Sequence, residues 1–338
     1  MTRWIRNGVL GLVGLVIALG VIGALYQFIG NAVDQHRYPP LGELVDVGGY
    51  RLHLYCTGIG SPTVVLGSMS PGWSLYWSTV QPEIAKLTRV CSYDRAGYGW
   101  SDPGPAPRTA KKDAMELHAL LTKGQISGPY VLVGHSFSGF TVRIFQHQYS
   151  SEVAGIVLVD AGSEDVEHHP EMLKATAEFT RQLPVLRAAA ILGIVRLAAK
   201  FETKSFIGEK QFHEVPLELQ PLALAGWTRS TYVTTFAQEI EAQPETREAA
   251  RASGTLGDLP LMVITATGPV MYPNMPVRVD EALFKKEWLE LQQKLTMLST
   301  HSSQLFADKS SHYVPFDQPE VVIAGVRQLV DTVRAARK

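Results

Sequence analysis

The chain of 338 residues has only two cysteines, Cys56 and Cys91, and no excess of charge, with 31 lysines and arginines against 32 aspartates and glutamates. Two cysteines can form at most one disulfide, which excludes a disulfide-rich scaffold. A balanced charge gives no overall field that attracts nucleic acid, and no basic patch is interleaved with aromatic residues. With 46% hydrophobic residues and no internal repeats, the composition indicates a globular protein that does not bind nucleic acid.

Charge is also missing from residues 8–26, which contain no acidic or basic side chain. This run is long enough to cross a bilayer and longer than the roughly 7–15 apolar residues of a cleaved signal peptide. Residues 1–30 are therefore expected to form a single-pass transmembrane anchor, with a long, removed signal peptide as the alternative. Arg3 and Arg6 precede the run, and Arg37 follows it. This bias favours a catalytic domain on the non-cytoplasmic side.

Beyond the anchor, residues 31–41 are polar and end in two prolines, which is typical of a linker. From residue 42 to 338, short apolar runs alternate with helical patterns such as the one at 110–123. This alternation predicts an α/β domain with a mostly parallel sheet and helices on both faces.

Residues from about 163 to 258 interrupt this alternation, because they are helical in pattern and lack strand-like runs. We expect an inserted helical cap over the carboxyl edge of the sheet. An apolar helix in it carries Arg187, Arg196 and Lys200 and could instead lie on a membrane surface. An amphipathic helix more commonly faces a protein core, and we expect that arrangement here.

Three motifs in this region occur in a recognisable order. "YDRAGYGWSDP" (93–103) is followed by "VGHSFSG" (133–139), which lies between a predicted strand and a helix, and by "SSHYVPFDQPE" (310–320). With these motifs the chain resembles the α/β-hydrolase superfamily over residues 42–338. The resemblance implies an eight-stranded α/β-hydrolase fold, a nucleophile–acid–histidine triad, no cofactor and a small-molecule substrate.

In that family the nucleophile lies on a sharp strand-to-helix turn with the pattern G-x-S-x-G. Here Gly134 occupies the first glycine position, but Ser138 replaces the second and Gly139 comes one residue late. Both positions must be small, because the turn presses them against neighbouring backbone. We expect the turn to form and Ser136 to be the nucleophile. The alternative is an ordinary turn in which the serine is incidental.

The resemblance also indicates the base, since His312 is the only one of ten histidines on a loop after a late strand. The other histidines lie on predicted strands, helices or loops. The one next to the nucleophile is directed away from it. His168 and His169 lie among acidic residues, but the cluster has no recognised ligand spacing, so no metal site is expected.

The acid is less obvious, because no Asp or Glu follows the strand "PLMVITA" until Asp280. Some members of the superfamily place the acid one strand earlier, and here "GIVLVD" ends in Asp160. We expect the Asp160 carboxylate within hydrogen-bond reach of the His312 ring. The alternative is that Asp160 only caps the following turn.

An oxyanion hole needs two backbone N–H groups. The resemblance assigns one to Phe137 and the other to the loop "LGSMSPGWSLYW", at Ser70 or at Met69. Nearby aromatic and sulfur side chains suggest an apolar substrate pocket, although they could simply pack against the cap. These side chains belong to Trp73, Tyr76, Met271 and Tyr272.

The family fold also places the strands of Cys56 and Cys91 side by side and antiparallel. We expect the two cysteines to be close and to form a disulfide, with two buried free thiols as the alternative. The full expectation is a serine hydrolase that cleaves a carboxylic ester through an acyl-enzyme. The alternatives are hydrolysis of an amide, peptide or C–C bond on the same triad, or a binding protein that keeps the fold without turnover.

Overall fold

The computed structural model describes residues 2–201, 215–269 and 279–336. It begins with a long helix, α1 (Thr2–Arg37). Within the described ranges, α1 is the one continuous helix long and apolar enough to cross a membrane, and its most apolar window is not buried by protein. The predicted anchor therefore corresponds to the first part of a longer helix.

The linker predicted at 31–41 needs correction, because α1 continues to Arg37. Gln27, Asn31 and Asp34 are spaced along one face of the helix, and all three contact the guanidinium of Arg196 in the cap region. These contacts hold the end of α1 in helical form against the domain. Only residues 38–42, with their two prolines, separate the helix from the first strand.

Eight strands form one sheet in the order β1-β2-β4-β3-β5-β6-β7-β8. The first two are joined by a hairpin, and β2 pairs antiparallel with both β1 and β4, whereas the strands from β4 to β8 are parallel. The α/β-hydrolase fold predicted from the sequence is confirmed. The strands are β1 (Glu43–Asp46), β2 (Arg51–Thr57), β3 (Thr63–Gly67), β4 (Val90–Tyr93), β5 (Tyr130–His135), β6 (Val153–Val159), β7 (Leu261–Ala266) and β8 (Ser302–Ala307).

Helices cover both faces of the sheet, as expected for strands that are apolar on both sides. On one face, α3 (Ala110–Lys123) and α4 (Ser138–Gln148) pack on alternate residues of the central strands. On the other face, α2 (Gln81–Ala85) and α12 (Pro319–Ala335) enclose the second core. The periodicity of residues 110–123 thus predicted a helix with the bounds of α3.

The chain between β6 and β7 contains helices and no strand of the sheet within its described residues. We call this segment the helical insertion. It occupies the region expected to form a cap. Its helices are α5 (Pro170–Ile191), α6 (Ile194–Phe201), α7 (Gln220–Trp227), α8 (Ser230–Glu241) and α9 (Gln243–Ala252).

Two further helices complete the described chain. The first, α10 (Glu281–Thr296), connects β7 to β8 and begins at the cap Asp280, whose carboxylate accepts the Leu283 N–H. The second, α11 (Val314–Asp317), follows the loop 308–313 after β8. On the other side of the sheet, Cys56 of β2 and Cys91 of β4 are paired in register and joined by a disulfide.

Candidate active site

Four parallel strands, β5 to β8, end at the same edge of the sheet, which we call the carboxyl edge. The residues singled out from the sequence lie at this edge: Ser136 follows β5, Asp160 follows β6, and His312 lies on the loop after β8. Ligands and catalytic groups collect at the carboxyl edge in open α/β sheets. The fold therefore brings three distant parts of the chain to one place.

The turn that carries Ser136 consists of only two residues, since β5 ends at His135 and α4 begins at Ser138. Ser136 has a φ of +52°, in the left-handed region that non-glycine residues rarely adopt. Its N–H donates to the Val159 carbonyl at 3.1 Å, and its carbonyl accepts from the Gly162 N–H at 3.0 Å. The end of β6 thus holds the strained residue in place, as is common at functional sites.

Ser138 fits into this turn because a glycine lies opposite it. A Cβ at Gly67 of β3 would lie 2.9 Å from the Ser138 Cβ, and a Cβ at Gly134 would lie 2.5 Å from the Ser138 carbonyl oxygen. The Ser138 hydroxyl donates to the Ser68 carbonyl at 2.5 Å and accepts from Arg95 Nη1 at 3.2 Å. The hydroxymethyl group therefore replaces the usual glycine without opening the turn.

Asp160 and His312 are in direct contact, with 2.6 Å between Asp160 Oδ2 and His312 Nδ1. Both side chains are almost completely buried. The other carboxylate oxygen, Oδ1, accepts from the Ala266 N–H at 3.0 Å and from Trp288 Nε1 at 2.9 Å. An ionised carboxylate can only accept, so His312 Nδ1 carries the proton and Nε2 is left with its lone pair. This is the tautomer that a general base requires.

Trp288 was not predicted from the sequence, although its indole contacts both Asp160 and His312. Besides donating to Asp160, its indole packs edge-on against the His312 ring, with ring centroids 5.4 Å apart and planes at 83°. Trp288 lies on the buried face of α10, and a tryptophan there is indistinguishable in sequence from an ordinary core residue.

His135, next to the nucleophile, also contacts His312, but through the backbone. His135 Nε2 lies 2.8 Å from the His312 carbonyl oxygen, so Nε2 must carry the proton. Complete burial, together with the nearby His312, holds the pKa of His135 well below its ordinary value. His135 is therefore a neutral donor that ties the loop of His312 to the turn of Ser136.

The predicted oxyanion donors lie on the two loops beside Ser136. Within the described part of the chain, the backbone N–H groups of Phe137, Met69 and Ser70 donate no hydrogen bond. The Ser70 hydroxyl donates to Glu239, so its side chain is directed toward the helical insertion. Both Met69 and Ser70 thus keep a free backbone donor beside the turn.

Arg95, from the "YDRAG" motif, contacts the loop that contains Met69 and Ser70. Its buried guanidinium donates to the Ser68 carbonyl at 2.5 Å and to the Met69 carbonyl at 3.0 Å. Arg95 Nε also lies 3.0 Å from Glu239 Oε1 on α8. The guanidinium therefore fixes the loop of Met69 and Ser70 and connects it to the helical insertion. The motif predicted the family, but no pattern in the sequence indicated Glu239 as a partner of Arg95.

The predicted pocket residues lie in different surroundings. The Trp73 ring is buried against Trp100, with centroids 5.1 Å apart, and a Cβ at Gly226 of α7 would lie 2.7 Å from it. Trp73 therefore packs between a loop of the sheet domain and the helical insertion. Tyr76 packs against Phe316, with centroids 4.9 Å apart, on the segment that follows His312. Met271 and Tyr272 lie outside the described residues.

Two of the other histidines lie next to carboxylates away from the triad. His53 is buried, with Nδ1 3.0 Å from Asp94 Oδ2, and His118 Nε2 lies 3.1 Å from Glu152 Oε1. The described residues contain no group of three or more His, Cys, Asp or Glu side chains that could hold a metal ion.

Comparisons with known proteins agree with this fold. The chain is 31% identical over 244 residues to an uncharacterised protein of Schizosaccharomyces pombe, a match that covers 71% of this chain and 40% of that protein. It is also similar in structure to a thermophilic esterase from Thermogutta terrifontis (TM-score 0.61, 19% identity, 86% of this chain and 97% of the other). A third similar protein is the enol-lactonase of Burkholderia xenovorans LB400 (TM-score 0.58, 17% identity, 86% of this chain and 100% of the other).

At these identities the two solved structures show the fold alone. The chain spans only about two fifths of the length of curated relatives such as the Schizosaccharomyces pombe protein. The sequence profile of the alpha/beta hydrolase family matches residues 58–325, which is most of the chain and includes all three motifs. The chain belongs to the alpha/beta hydrolase family.

Proposed function

We propose that this alpha/beta hydrolase is a membrane-anchored serine hydrolase that cleaves carboxylic esters, with Ser136 as nucleophile, His312 as base and Asp160 as acid. The observation that carries the proposal is the 2.6 Å contact between Asp160 Oδ2 and His312 Nδ1 at the edge where the turn of Ser136 lies. A buried carboxylate on a histidine ring fixes the tautomer and stabilises the imidazolium that forms during catalysis.

In the first half of the reaction, Ser136 Oγ attacks the ester carbonyl carbon while His312 Nε2 takes the hydroxyl proton. Negative charge then develops on the carbonyl oxygen. The Phe137 N–H and the N–H of Met69 or Ser70 would donate to this oxygen, and Arg95 would keep the second donor in place. The C–O bond to the alcohol breaks as His312 returns the proton to the leaving oxygen, and the acyl group stays on Ser136.

In the second half, water attacks the acyl carbon and His312 Nε2 takes a proton from it. Collapse of the second tetrahedral species breaks the bond to Ser136 Oγ, which regains the proton from His312. The products are a carboxylic acid and an alcohol, and the side chains return to their starting protonation states. Since no step needs an oxidant or a second substrate besides water, the triad is sufficient in itself.

The choice of an ester is supported by the similar solved structures. One is an esterase, and another is an enol-lactonase, a lactone being a cyclic ester. An alkoxide also leaves more readily than an amide nitrogen, so an ester depends less on proton donation from His312 as the bond breaks.

Membrane anchoring is supported by α1, whose apolar middle is long enough to span a bilayer. The arginines at positions 3 and 6 favour a cytoplasmic N-terminus, with the catalytic domain on the other side. The bond between Cys56 and Cys91 supports the same orientation, since disulfides persist in oxidising compartments outside the cytoplasm.

The role of the acid is tested by comparing two substitutions, Asp160→Asn and Asp280→Asn. Asp280 is the first aspartate after β7 in the sequence, but it caps α10 and is exposed, and asparagine caps helices equally well. With a panel of nitrophenyl esters of rising acyl length, Asp160→Asn should lower kcat by roughly 10³–10⁴-fold. Asp280→Asn should leave kcat close to that of the wild type.

Thermal unfolding of both variants controls for a loss of structure. The assignment of the acid is wrong if folded Asp160→Asn turns over normally while Asp280→Asn is inactive. The length of the best acyl chain in the same panel defines the substrate class.

A further inference from the structure

The junction between α5 and α6 lies directly against α1. The two helices are bent by 84° at Leu192 and Gly193. A Cβ at Gly23 of α1 would overlap the Leu192 carbonyl, and a Cβ at Gly193 would lie 2.9 Å from the Gly23 carbonyl oxygen. Gly193 also has a φ of +70°, which favours glycine. Glycine on both sides thus allows backbone contact. We call residues 185–201 the corner.

The contact lies at a depth that α1 itself defines. The uncharged run of α1, residues 8–26, is about 28 Å long at 1.5 Å per residue, close to the thickness of a hydrocarbon core. Gly20 and Gly23, the two α1 glycines that Leu192 approaches, lie about 9 Å and about 4.5 Å before the end of that run. If the run fills the bilayer, Leu192 lies below the membrane surface.

The side chains of the corner suit that depth. Residues 188–195 contain no charged or polar side chain. Several large apolar side chains of the corner are about half exposed or more. They are Val185 (72%), Ile191 (51%), Ile194 (53%), Leu197 (49%) and Phe201 (81%). A patch of exposed apolar side chains on a folded domain marks an interaction surface.

The cations on either side are directed away from this patch. Arg196 is almost buried and binds Gln27, Asn31 and Asp34, which lie beyond the uncharged run of α1. These polar contacts lie at the level expected for lipid headgroups, while Leu192, beside Gly20 and Gly23, lies deeper.

The other two cations of the corner have similar arrangements. Arg187 Nη1 lies 3.3 Å from Glu241 Oε1 on α8, and Lys200 Nζ lies 5.2 Å from the centre of the Tyr26 ring, where the uncharged run ends. Long basic side chains of a membrane-embedded apolar segment commonly extend to the polar interface, as these two do.

We propose that the corner inserts into the leaflet of the lipid bilayer in which the uncharged run of α1 ends. The inference rests on the membrane anchoring proposed above. The occupant of the apolar patch is lipid because the patch is continuous with the lipid-facing surface of α1. A soluble partner would have to reach side chains beside a membrane-spanning run.

The inserted corner is connected to the candidate active site. Phe179 of α5 packs against Phe236 of α8, with ring centroids 5.3 Å apart. The same helix α8 carries Glu239, which binds Arg95 and Ser70 beside the nucleophile. The substrate class that fits this arrangement is an ester with an acyl chain dissolved in the bilayer, which can enter beside the helical insertion without crossing water.

The test uses the full chain in phosphatidylcholine vesicles, with one new cysteine labelled by the fluorophore NBD. The two native cysteines are joined to each other and do not compete for the label. The probe sites are Ile194→Cys in the corner, Leu15→Cys in the middle of α1 and Met297→Cys, all exposed. Met297 follows α10 at the amino end of β8, on the side of the sheet opposite the corner, and is the matched control.

With doxyl-labelled phosphatidylcholine in the vesicles, the labels at 15 and 194 should be quenched several-fold more than the label at 297. Their emission should also be shifted to the blue. Quenching at 15 together with a response at 194 like that at 297 overturns the inserted corner and leaves the anchor intact. An absence of quenching at 15 overturns the anchor and the corner together. Nitrophenyl ester turnover of the same samples measures the hydrolase activity separately, since none of the three label positions touches the triad.

Discussion

The Asp160 carboxylate receives donors from three separate parts of the chain: the His312 ring, the backbone after β7 and the indole of Trp288 on α10. These donors contact both carboxylate oxygens and fix the orientation of the group. In the proposed reaction this orientation keeps Oδ2 on His312 Nδ1. The indole is therefore a positioning residue for the acid, although it does not touch the substrate in the proposed reaction.

Replacing Trp288 by phenylalanine tests this role. The ring still packs on His312, but the N–H to Asp160 Oδ1 is lost. Loss of one hydrogen bond to a charged group should lower kcat by about tenfold, which corresponds to about 1.4 kcal/mol. The measurement is kcat with a nitrophenyl ester together with the melting temperature, which should stay close to that of the wild type because the ring still packs in the same place.

A purely structural role for Trp288 would give a different result. The melting temperature would fall, while kcat of the folded fraction would stay close to that of the wild type. Trp4, exposed at 87% near the N-terminus, provides the control Trp4→Phe, which should change neither quantity.

At this scale the sequence predicts groups that belong to a pattern. Ser136 and His312 stand in motifs, and Asp160 follows from the absence of another acid near the site. Trp288 could not be found in this way, because its partner lies 128 positions away and a tryptophan on an amphipathic helix is ordinary. The placement of Ser138 depends similarly on Gly67, which only the pairing of β3 with β5 brings opposite it.

At the scale of elements, a buried charge network joins the motif loop after β4 to α3 and α8. Two arginines, Arg95 and Arg108, face three carboxylates, Asp113, Glu116 and Glu239. Three carboxylates exceed two guanidinium groups by one negative charge. Burial is the largest influence on Asp113 and, with the neighbouring Glu116 and Glu239, outweighs both arginines and raises the pKa of Asp113 to about 7. The network therefore holds a proton that the unfolded chain loses near pH 4.

This predicts a pH dependence of stability that Asp113→Asn removes. Between about pH 4 and 7 the folded protein keeps the proton of Asp113 while the unfolded chain has lost it. The contribution of this group is thus complete below pH 4, and the free energy of unfolding falls as the pH rises toward 7. The slope is at most about 1.4 kcal/mol per pH unit.

The measurement is denaturant unfolding of both proteins at a series of pH values in detergent. The difference in unfolding free energy between wild type and Asp113→Asn should shift in favour of the variant from pH 4 to pH 7. A difference that stays constant over this range would show that Asp113 is ionised in the folded protein.

The elements themselves were predictable to different degrees. The central strands β3, β5, β6 and β7 are mostly apolar runs, and α3 has a regular apolar face, so local pattern was sufficient for these elements. The end of α1 was predicted as a linker because its residues are polar. It is helical because Gln27, Asn31 and Asp34 find a partner in Arg196, about 160 positions away, which local pattern does not include.

At the scale of the whole molecule, the alternation of strands and helices was sufficient to predict a covered parallel sheet, and the strand order follows from the family. How α1 meets the helical insertion was not predictable. That contact depends on the close approach of the backbones at Gly23 and Gly193. Isolated glycines in two apolar segments do not predict such a contact. The anchor, the helical insertion and the sheet could thus each be predicted from the sequence, but the contact between α1 and the insertion could not.

The central claim is that Ser136 is an activated nucleophile, and covalent labelling of the full chain with a fluorophosphonate tests it most directly. The hydroxyl oxygen bonds to phosphorus and fluoride leaves, so intact-protein mass spectrometry counts the adducts. Wild type should gain one adduct and Ser136→Ala none. Ser138→Ala, in the same turn, should also gain one, though more slowly, since the Ser68 carbonyl loses one of its two donors. No adduct on the wild type, or an adduct that persists in Ser136→Ala, would contradict the account.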